Sequence, residues 1–141
     1  MDNEALIRRW FREVWNEKRE SVIDELLDAD SVHHGLGGTQ RAVIQGSGNF
    51  KDFYRAFLAA FPDLEIDVED TFAAGDKVVV RCTVRGTHSG EGLGIAPTGK
   101  RIEITGIGIC SVRDEKFVEV WNEFDFLNLY NQIGMLDFKS Q

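Results

Sequence analysis

The segment EVWNEFDF, residues 119–126, brings carboxylates and one carboxamide together in a stretch that alternates like a β-strand. With the two-residue period of a strand, one face of this stretch holds Val118, Val120, Asn122 and Phe124. Asn122 is the polar side chain on that otherwise apolar face. Leaving a buried polar group without a hydrogen bond costs roughly 1 to 3 kcal/mol. The pattern therefore predicts that Asn122 either has a partner inside the protein or awaits a ligand.

The opposite face of the same strand carries Glu119, Trp121, Glu123 and Asp125. Asp125 fits two roles, because its carboxylate suits both the N-cap of the helix that follows and a pocket acid in proton transfer. Its position on the face away from Asn122 favours the cap. We expect Glu119 and Glu123 to lie in solvent or in a dimer contact, with Arg81 as an ion-pair partner.

The histidines offer side chains whose unperturbed pKa of about 6.5 suits proton transfer near neutral pH. His33 and His88 each sit where an element ends over the expected open end of the sheet, the usual position of pocket residues. Together with His34 they do not form a metal-site pattern, because adjacent residues rarely converge on one ion and no Cys or carboxylate stands at ligand spacing. We therefore predict no metal, and His33 and His88 remain pocket candidates.

The elements that would position these residues are helices first and strands afterwards. Helical spacing predicts helices over about 3–17, 21–27, 47–61 and 126–133, whereas alternation predicts strands over about 64–73, 77–88, 100–113 and 116–125. Residues 30–49 hold five of the 14 glycines, lack one clear period and are predicted as a loop with a short extended piece. This order predicts an α+β fold, in which N-terminal helices cover one face of a curved antiparallel sheet.

Size and charge exclude several classes of protein. The 141 residues fit one domain, 1–141, and the formal charge of −8 opposes binding to nucleic acid. No apolar run approaches the roughly 18 residues of a membrane span and the N-terminus is unlike a signal peptide, so we expect a cytoplasmic protein with no membrane partner. Cys82 and Cys110 are isolated in apolar strands and are predicted to be reduced core thiols.

The stretch GIAPTGKR, residues 94–101, has the spacing of a phosphate-binding loop but not its context. Arg101 stands where a Ser or Thr should hold magnesium, and a strand pattern follows where the motif requires a helix. We interpret it as a hairpin loop.

The strand predicted over 100–113 is apolar on both faces, with Ile107 and Ile109 on the side away from Ile102 and Ile104. Antiparallel sheets usually leave one face in water, so an apolar outer face predicts that something covers it. A homodimer packed sheet against sheet would do so.

Three segments together resemble the SnoaL-like polyketide cyclase family, a branch of the nuclear-transport-factor-2-like superfamily. They are FPDLEIDVED (61–70), GTHSGEGLGIAPTGKRIEITGI (86–107) and KFVEVWNEFDFLNLYNQIG (116–134). The resemblance implies a small α+β cone, commonly dimeric, with a deep apolar pocket between helices and sheet and no cofactor.

The resemblance also implies where an aldol-type ring closure would need its groups. The family's pocket carboxylate, which removes a proton next to a carbonyl, falls on Asn122, and its histidine falls on Gly108. The His that often precedes the family's Trp is Val120. Asp125 matches the second acid of the closing motif, and His88 matches a family histidine. His33 falls where members often carry a polar pocket residue.

Two functions follow from these residues. One is a protein that binds a small hydrophobic carbonyl compound in a pocket lined by Trp10, Phe57, Val120 and Phe124. If that protein is a cofactor-free acid–base enzyme of the cyclase, isomerase or lyase type, Asn122 donates a hydrogen bond to the carbonyl, and His33, His88 or Asp125 moves the proton. The alternative is a non-catalytic dimeric ligand-binding or interaction domain.

Overall fold

The structure is a computed structural model that describes residues 2–36 and 43–136. Its helices are α1 (Asn3–Arg9), a π-helix (Trp10–Asn16) that continues α1, α2 (Ser21–Leu26), α3 (Ser47–Ala60) and α4 (Phe126–Gln132). Its strands are β1 (Leu27–His34), β2 (Val43–Gln45), β3 (Glu65–Ala74), β4 (Lys77–Thr87), β5 (Arg101–Arg113) and β6 (Lys116–Phe124). None of the helices in these two ranges has the length and apolar character needed to cross a bilayer.

The strands form one open sheet in the order β2-β1-β6-β5-β4-β3. Neighbouring strands are antiparallel except β1 and β6, which run parallel. The predicted α+β fold, with helices on one face of a mainly antiparallel sheet, is confirmed. The parallel pair follows from the chain order, because β1 is separated from β6 by most of the protein rather than by a hairpin.

The prediction of a loop with a short extended piece over residues 30–49 is only partly right for the described residues, because β2 is a short extended piece but the segment begins inside a longer strand. Residues 30–34 belong to β1, residues 43–45 form β2, and residues 37–42 lie outside the described residues. The buried face of β1 holds Leu27, Ser31 and His33, so two of its three inward positions are polar. Because these polar residues interrupt the apolar alternation, the strand has no clear sequence signature.

The first helix changes its winding halfway along. A π-helix bonds each N–H to the carbonyl five residues earlier, so residues five apart lie about one turn apart. Trp10 and Trp15 are such a pair, and both are buried. The Tyr54 hydroxyl donates a 2.8 Å hydrogen bond to the Val14 carbonyl, and the Tyr54 ring packs on Trp15 at 5.0 Å. These contacts tie the π-helix to α3.

An irregularity in β6 changes which of its side chains face the helices. Ser111 pairs with Glu119 but Val112 pairs with Phe117, so Val118 is an extra residue without a cross-strand partner. As a result Phe117 faces the same side as Val120, Asn122 and Phe124. The prediction that Val118 belongs to that face is therefore wrong, because simple alternation fails across a bulge.

Candidate functional site

A cavity lies between the helices and the inner face of the sheet. The space open to water-sized molecules amounts to about 70 Å³, which is room for several waters or a small organic group. Apart from His33 and Asn122, each lining residue within the described ranges is aliphatic, aromatic, glycine or cysteine. No carboxylate is among them. The cavity is therefore apolar, with two polar side chains placed on adjacent strands, β1 and β6.

The four side chains predicted to line a pocket, Trp10, Phe57, Val120 and Phe124, all border this cavity. Sequence reasoning missed Trp15 and Phe11, which the π-helix turns toward the same space. A 3.6-residue period groups both residues with Ile7 on the apolar face of the first helix, but it does not show which buried side chains border a cavity. The thiol of Cys110 also borders the cavity, and burial raises its pKa to about 12, so it stays protonated and unreactive.

His33 is almost fully buried, at 2% exposure, near the end of β1 on the face that meets the helices. Its Nε2 lies 2.9 Å from the Ser31 hydroxyl oxygen, and its ring stacks on Phe50 with centroids 4.8 Å apart. Burial, assisted by the charge of His34, lowers the pKa of His33 to about 4. The imidazole is therefore neutral at neutral pH, and it is a weak base.

Asn122 is half-buried on β6 and has a partner inside the protein. Its Nδ2 donates a 2.9 Å hydrogen bond to the backbone carbonyl of His34. Its Oδ1 makes no hydrogen bond with any residue in the described ranges and lies beside Gly108, another lining residue. Gly35, which follows His34 in the chain, has φ +82°. Its backbone passes so close to the Asn122 carbonyl that a Cβ on Gly35 would lie 2.0 Å from the carbonyl oxygen. The amide thus fixes the end of β1 against β6.

His88 does not line the cavity. It is fully buried at the end of β4, where Nδ1 accepts the Thr98 N–H at 3.2 Å and lies 3.0 Å from the Thr98 hydroxyl. Its backbone N–H donates to Lys100, and its carbonyl accepts from Gly99. His88 therefore closes the loop between β4 and β5, which contains most of the stretch 94–101 interpreted above as a hairpin loop. Its Nε2 is buried without a hydrogen bond to the described part of the chain.

Asp125 also lies away from the cavity lining. Its Oδ1 accepts the Asn128 N–H at 3.1 Å, so Asp125 is the N-cap of α4, the role favoured by its predicted position on the face away from Asn122. Glu119 forms no ion pair with Arg81. Its Oε2 instead lies 2.8 Å from His34 Nε2. Within the described ranges of this one chain neither Arg81 nor Glu123 forms an ion pair, so the predicted pairing does not occur inside a single copy. Ile107 of β5 separates them in the sheet.

This arrangement limits the chemistry that the cavity supports. No group of three His, Cys, Asp or Glu side chains among the described residues is placed to hold a metal ion. Of the two polar side chains among the described residues that line the cavity, one is the amide of Asn122 and the other is the imidazole of His33, whose pKa is strongly lowered. The site can therefore hydrogen-bond a neutral ligand, but it lacks a strong general base.

A family model described as SnoaL-like polyketide cyclase matches residues 5–133. Wild-type IdmH from Streptomyces antibioticus, a candidate polyketide cyclase, is 31% identical, with a TM-score of 0.80 over 95% of this chain and 99% of that one. AclR from Streptomyces galilaeus, a candidate hydroxylase, is 30% identical, with a TM-score of 0.81 over 95% and 85%. TsrD from Streptomyces laurentii is 27% identical, with a TM-score of 0.80 over 96% and 99%.

No curated protein matches the chain. The solved structures nevertheless share its architecture over nearly their full lengths, and they support the cone-shaped fold predicted from the sequence. The family model extends from the first helix to the residue after α4. Because that match spans most of the sequence, this protein belongs to the SnoaL-like polyketide cyclase family.

Proposed function

We propose that this protein binds a small, neutral, largely apolar carbonyl compound in the cavity between helices and sheet. The observation that carries the proposal is the lining itself, which combines apolar side chains with the uncharged polar groups of His33 and Asn122. Moving an ion into such a space costs far more than moving a neutral molecule, because none of the lining residues in the described ranges carries an opposite charge. The site therefore favours ketones over carboxylates of the same shape.

Calorimetric titration with cyclohexanone and with cyclohexanecarboxylate tests this proposal. We expect binding of the ketone and no measurable binding of the anion. At 100 times its Kd, a ligand that binds only the folded state adds about 2.7 kcal/mol to the free energy of unfolding, which a thermal-shift assay would show. If neither compound, nor a larger neutral ketone, binds or stabilises the protein, the proposal is wrong.

A cavity-filling variant provides the matched control. Gly108 lines the cavity, and a Cβ built on it meets its nearest neighbour, Val80 Cγ1, at an ordinary 3.5 Å. Gly108→Val should therefore fold, since valine suits a strand, while its methyl groups occupy ligand space. We expect this variant to keep its thermal stability and to lose ketone binding.

The same geometry argues for binding without the family's carboxylate-driven ring closure. An amide cannot act as a general base, and the lowered pKa of His33 makes it a weak one. We expect the protein to leave the deuterium exchange of cyclohexanone α-hydrogens close to the buffer rate. Asn122→Asp supplies the missing carboxylate and should raise that rate, since general acid–base catalysis is typically worth 10²- to 10⁴-fold. Fast exchange by the native protein that His33→Gln abolishes would instead show a histidine-based enzyme.

We also propose a homodimer packed through the outer face of the sheet. Phe72, Val79, Ile109 and Trp121 pair in register across four strands on that face, and Phe72 is 58% exposed. In a neighbouring row Ile107 lies between Arg81 and Glu123, and no ion pair within the described ranges involves either charge. A two-fold axis over Ile107 would place Arg81 of each copy opposite Glu123 of the other, the self-complementarity that a symmetric dimer requires.

A charge-swap series measured by native mass spectrometry tests the dimer. Arg81→Glu places two carboxylates together at each contact and should shift the protein toward monomer. Adding Glu123→Arg restores opposite charges and should restore the dimer. A native protein that is monomeric at micromolar concentration, or a dimer indifferent to both changes, would contradict the proposed interface.

A further inference from the structure

We infer that the cavity presents to its ligand His33 Nδ1–H as a hydrogen-bond donor and Asn122 Oδ1 as an acceptor, and so selects neutral hydroxy-carbonyl compounds. This inference deepens the proposed binding function and rests on it. It follows from two protein hydrogen bonds that fix which atom of each side chain remains for a ligand. Neither bond involves a charged group.

The Ser31 hydroxyl determines the tautomer of His33. Ser31 is fully buried, and the His33 Nε2 at 2.9 Å is the partner of its hydroxyl within the described residues. If Nε2 carried the proton, it would donate to Ser31 Oγ and leave the fully buried hydroxyl hydrogen without an acceptor, whereas an Nδ1–H borders the cavity, where water or a ligand can accept it. The favourable arrangement has the Ser31 hydroxyl donating to an unprotonated Nε2. The ring proton of the neutral imidazole then sits on Nδ1.

The Nδ1 atom is available to a ligand. His33 lines the cavity, and its Nδ1 has no hydrogen-bond partner in the part of the chain that the structure describes. The stacking of the ring on Phe50 keeps the imidazole in one plane and limits its rotation. His33 therefore presents a donor whose orientation does not depend on the ligand.

The His34 carbonyl determines the orientation of the Asn122 amide. A carbonyl oxygen only accepts hydrogen bonds, so the amide nitrogen of Asn122 must face it, at 2.9 Å. The amide oxygen is then on the other branch of the side chain, 3.8 Å from where a Cβ on Gly108 would stand. Because Gly108 has no side chain, nothing from that residue covers the oxygen. Asn122 therefore offers an acceptor at the cavity wall.

A donor and an acceptor held by the protein select for the complementary pair in the ligand. A carbonyl oxygen accepts from His33 Nδ1–H, and a hydroxyl hydrogen is donated to Asn122 Oδ1. A simple ketone forms only the hydrogen bond with His33. An alcohol without a carbonyl pairs less well with this donor and acceptor. Each net hydrogen bond in a protein corresponds to between about 2- and 10-fold in affinity.

The tautomer can be measured without any ligand. Nitrogen-15 NMR of the imidazoles distinguishes a protonated Nδ1 from a protonated Nε2, and His34 serves as an internal reference on the same strand. We expect His33 to show the Nδ1–H pattern at pH 7. In Ser31→Ala the hydroxyl is lost, so we expect a mixture or the Nε2–H pattern. A native His33 protonated on Nε2 would overturn the inference.

A set of cyclohexane derivatives tests the ligand class. We expect 2-hydroxycyclohexanone to bind between about 2- and 10-fold more tightly than cyclohexanone or cyclohexanol. In Asn122→Leu, which keeps the volume but removes the acceptor, we expect that advantage over cyclohexanone to vanish. Equal binding of hydroxyketone and ketone to the native protein would refute the inference while leaving the proposed function intact. Failure of all three compounds to bind would refute the proposed function, and the inference with it.

Discussion

The buried, neutral His33 makes the stability of the fold depend on pH in a predictable direction. Burial lowers its pKa in the folded protein to about 4, against 6.5 for an exposed histidine. Below pH 6.5 His33 binds a proton in the unfolded chain, whereas in the folded protein it does not bind one until the pH approaches 4. The unfolded state therefore binds more protons in this window, and stability falls as the pH is lowered through it.

The size of this loss follows from the two pKa values. One pKa unit corresponds to about 1.4 kcal/mol, so a folded-state pKa of about 4 against 6.5 corresponds to about 3 kcal/mol of stability. This stability is fully present above pH 6.5 and is lost progressively toward pH 4. His33 is only 2% exposed, so solvent does little to screen the effect.

Urea unfolding between pH 7 and pH 4.5 measures the loss. His33→Gln removes the titrating group, and His34→Gln on the same strand is the matched control, because His34 is partly exposed. We expect the free energy of unfolding to fall more steeply with acidification in the native protein than in His33→Gln. His34→Gln should keep most of the native slope.

The comparison of slopes separates His33 from the carboxylates. Three carboxylates also have lowered pKa values, namely Glu13, Glu20 and Asp63, and in the first two the main cause is a hydrogen bond from Arg9 or Arg55. The fold therefore loses their contribution to stability as well when the pH is lowered. These groups are present in both proteins and cancel in the difference. Equal slopes for the native protein and His33→Gln would refute the assignment of a neutral, buried imidazole.

Three further changes test the elements around the cavity. Gly35→Ala should destabilise the fold by about 3 kcal/mol or more in the same urea assay, because its Cβ would overlap the Asn122 carbonyl at a positive φ. Gly75→Ala is the control. Gly75 also has a positive φ but lies in open space, so this change should cost about 1 kcal/mol. Tyr54→Phe should cost about 1 kcal/mol and alter tryptophan fluorescence, since the Val14 carbonyl loses its donor. Asp125→Ala should cost about 1 kcal/mol through loss of the α4 cap, with Asp125→Asn retaining most of it in chemical denaturation.

The strands and helices with regular apolar periods were predictable from the sequence, whereas β1 was not. In β3 to β6 the inward positions are mostly apolar, so alternation locates each strand to within one residue of its bounds. The inward face of β1 instead carries Ser31 and His33, which hydrogen-bond to each other rather than forming an apolar stripe. The polar residues on the inward face are therefore the reason that the sequence does not reveal this strand.

The candidate site was predictable where it lies on regular strands and not where a loop determines direction. Val120, Asn122 and Phe124 follow directly from the alternation of β6. His88 has the same local signal as His33, a histidine at the end of an element, yet its ring turns toward Thr98 in its own hairpin loop. Periodicity says nothing about which way a side chain points once a strand has ended.

The amide of Asn122 is also part of the backbone arrangement at the end of β1, because it donates to the His34 carbonyl. Asn122→Asp would place a carboxylate oxygen against the His34 carbonyl, where the amide now donates a hydrogen bond. The close contact between Gly35 and the backbone carbonyl of residue 122 prevents the two strands from shifting to relieve this contact. Two acceptors repel, so the pKa of the new carboxyl should rise above its unfolded value of about 3.9. The variant should then be most stable at low pH, where that carboxyl is protonated and donates to the carbonyl, and should lose stability as the pH rises. This trend is opposite to that of His33. Urea unfolding of Asn122→Asp in a His33→Gln background isolates the effect of the new carboxyl. If this double variant gains stability from pH 4.5 to pH 7 relative to His33→Gln alone, the amide–carbonyl bond is not what holds β1 to β6.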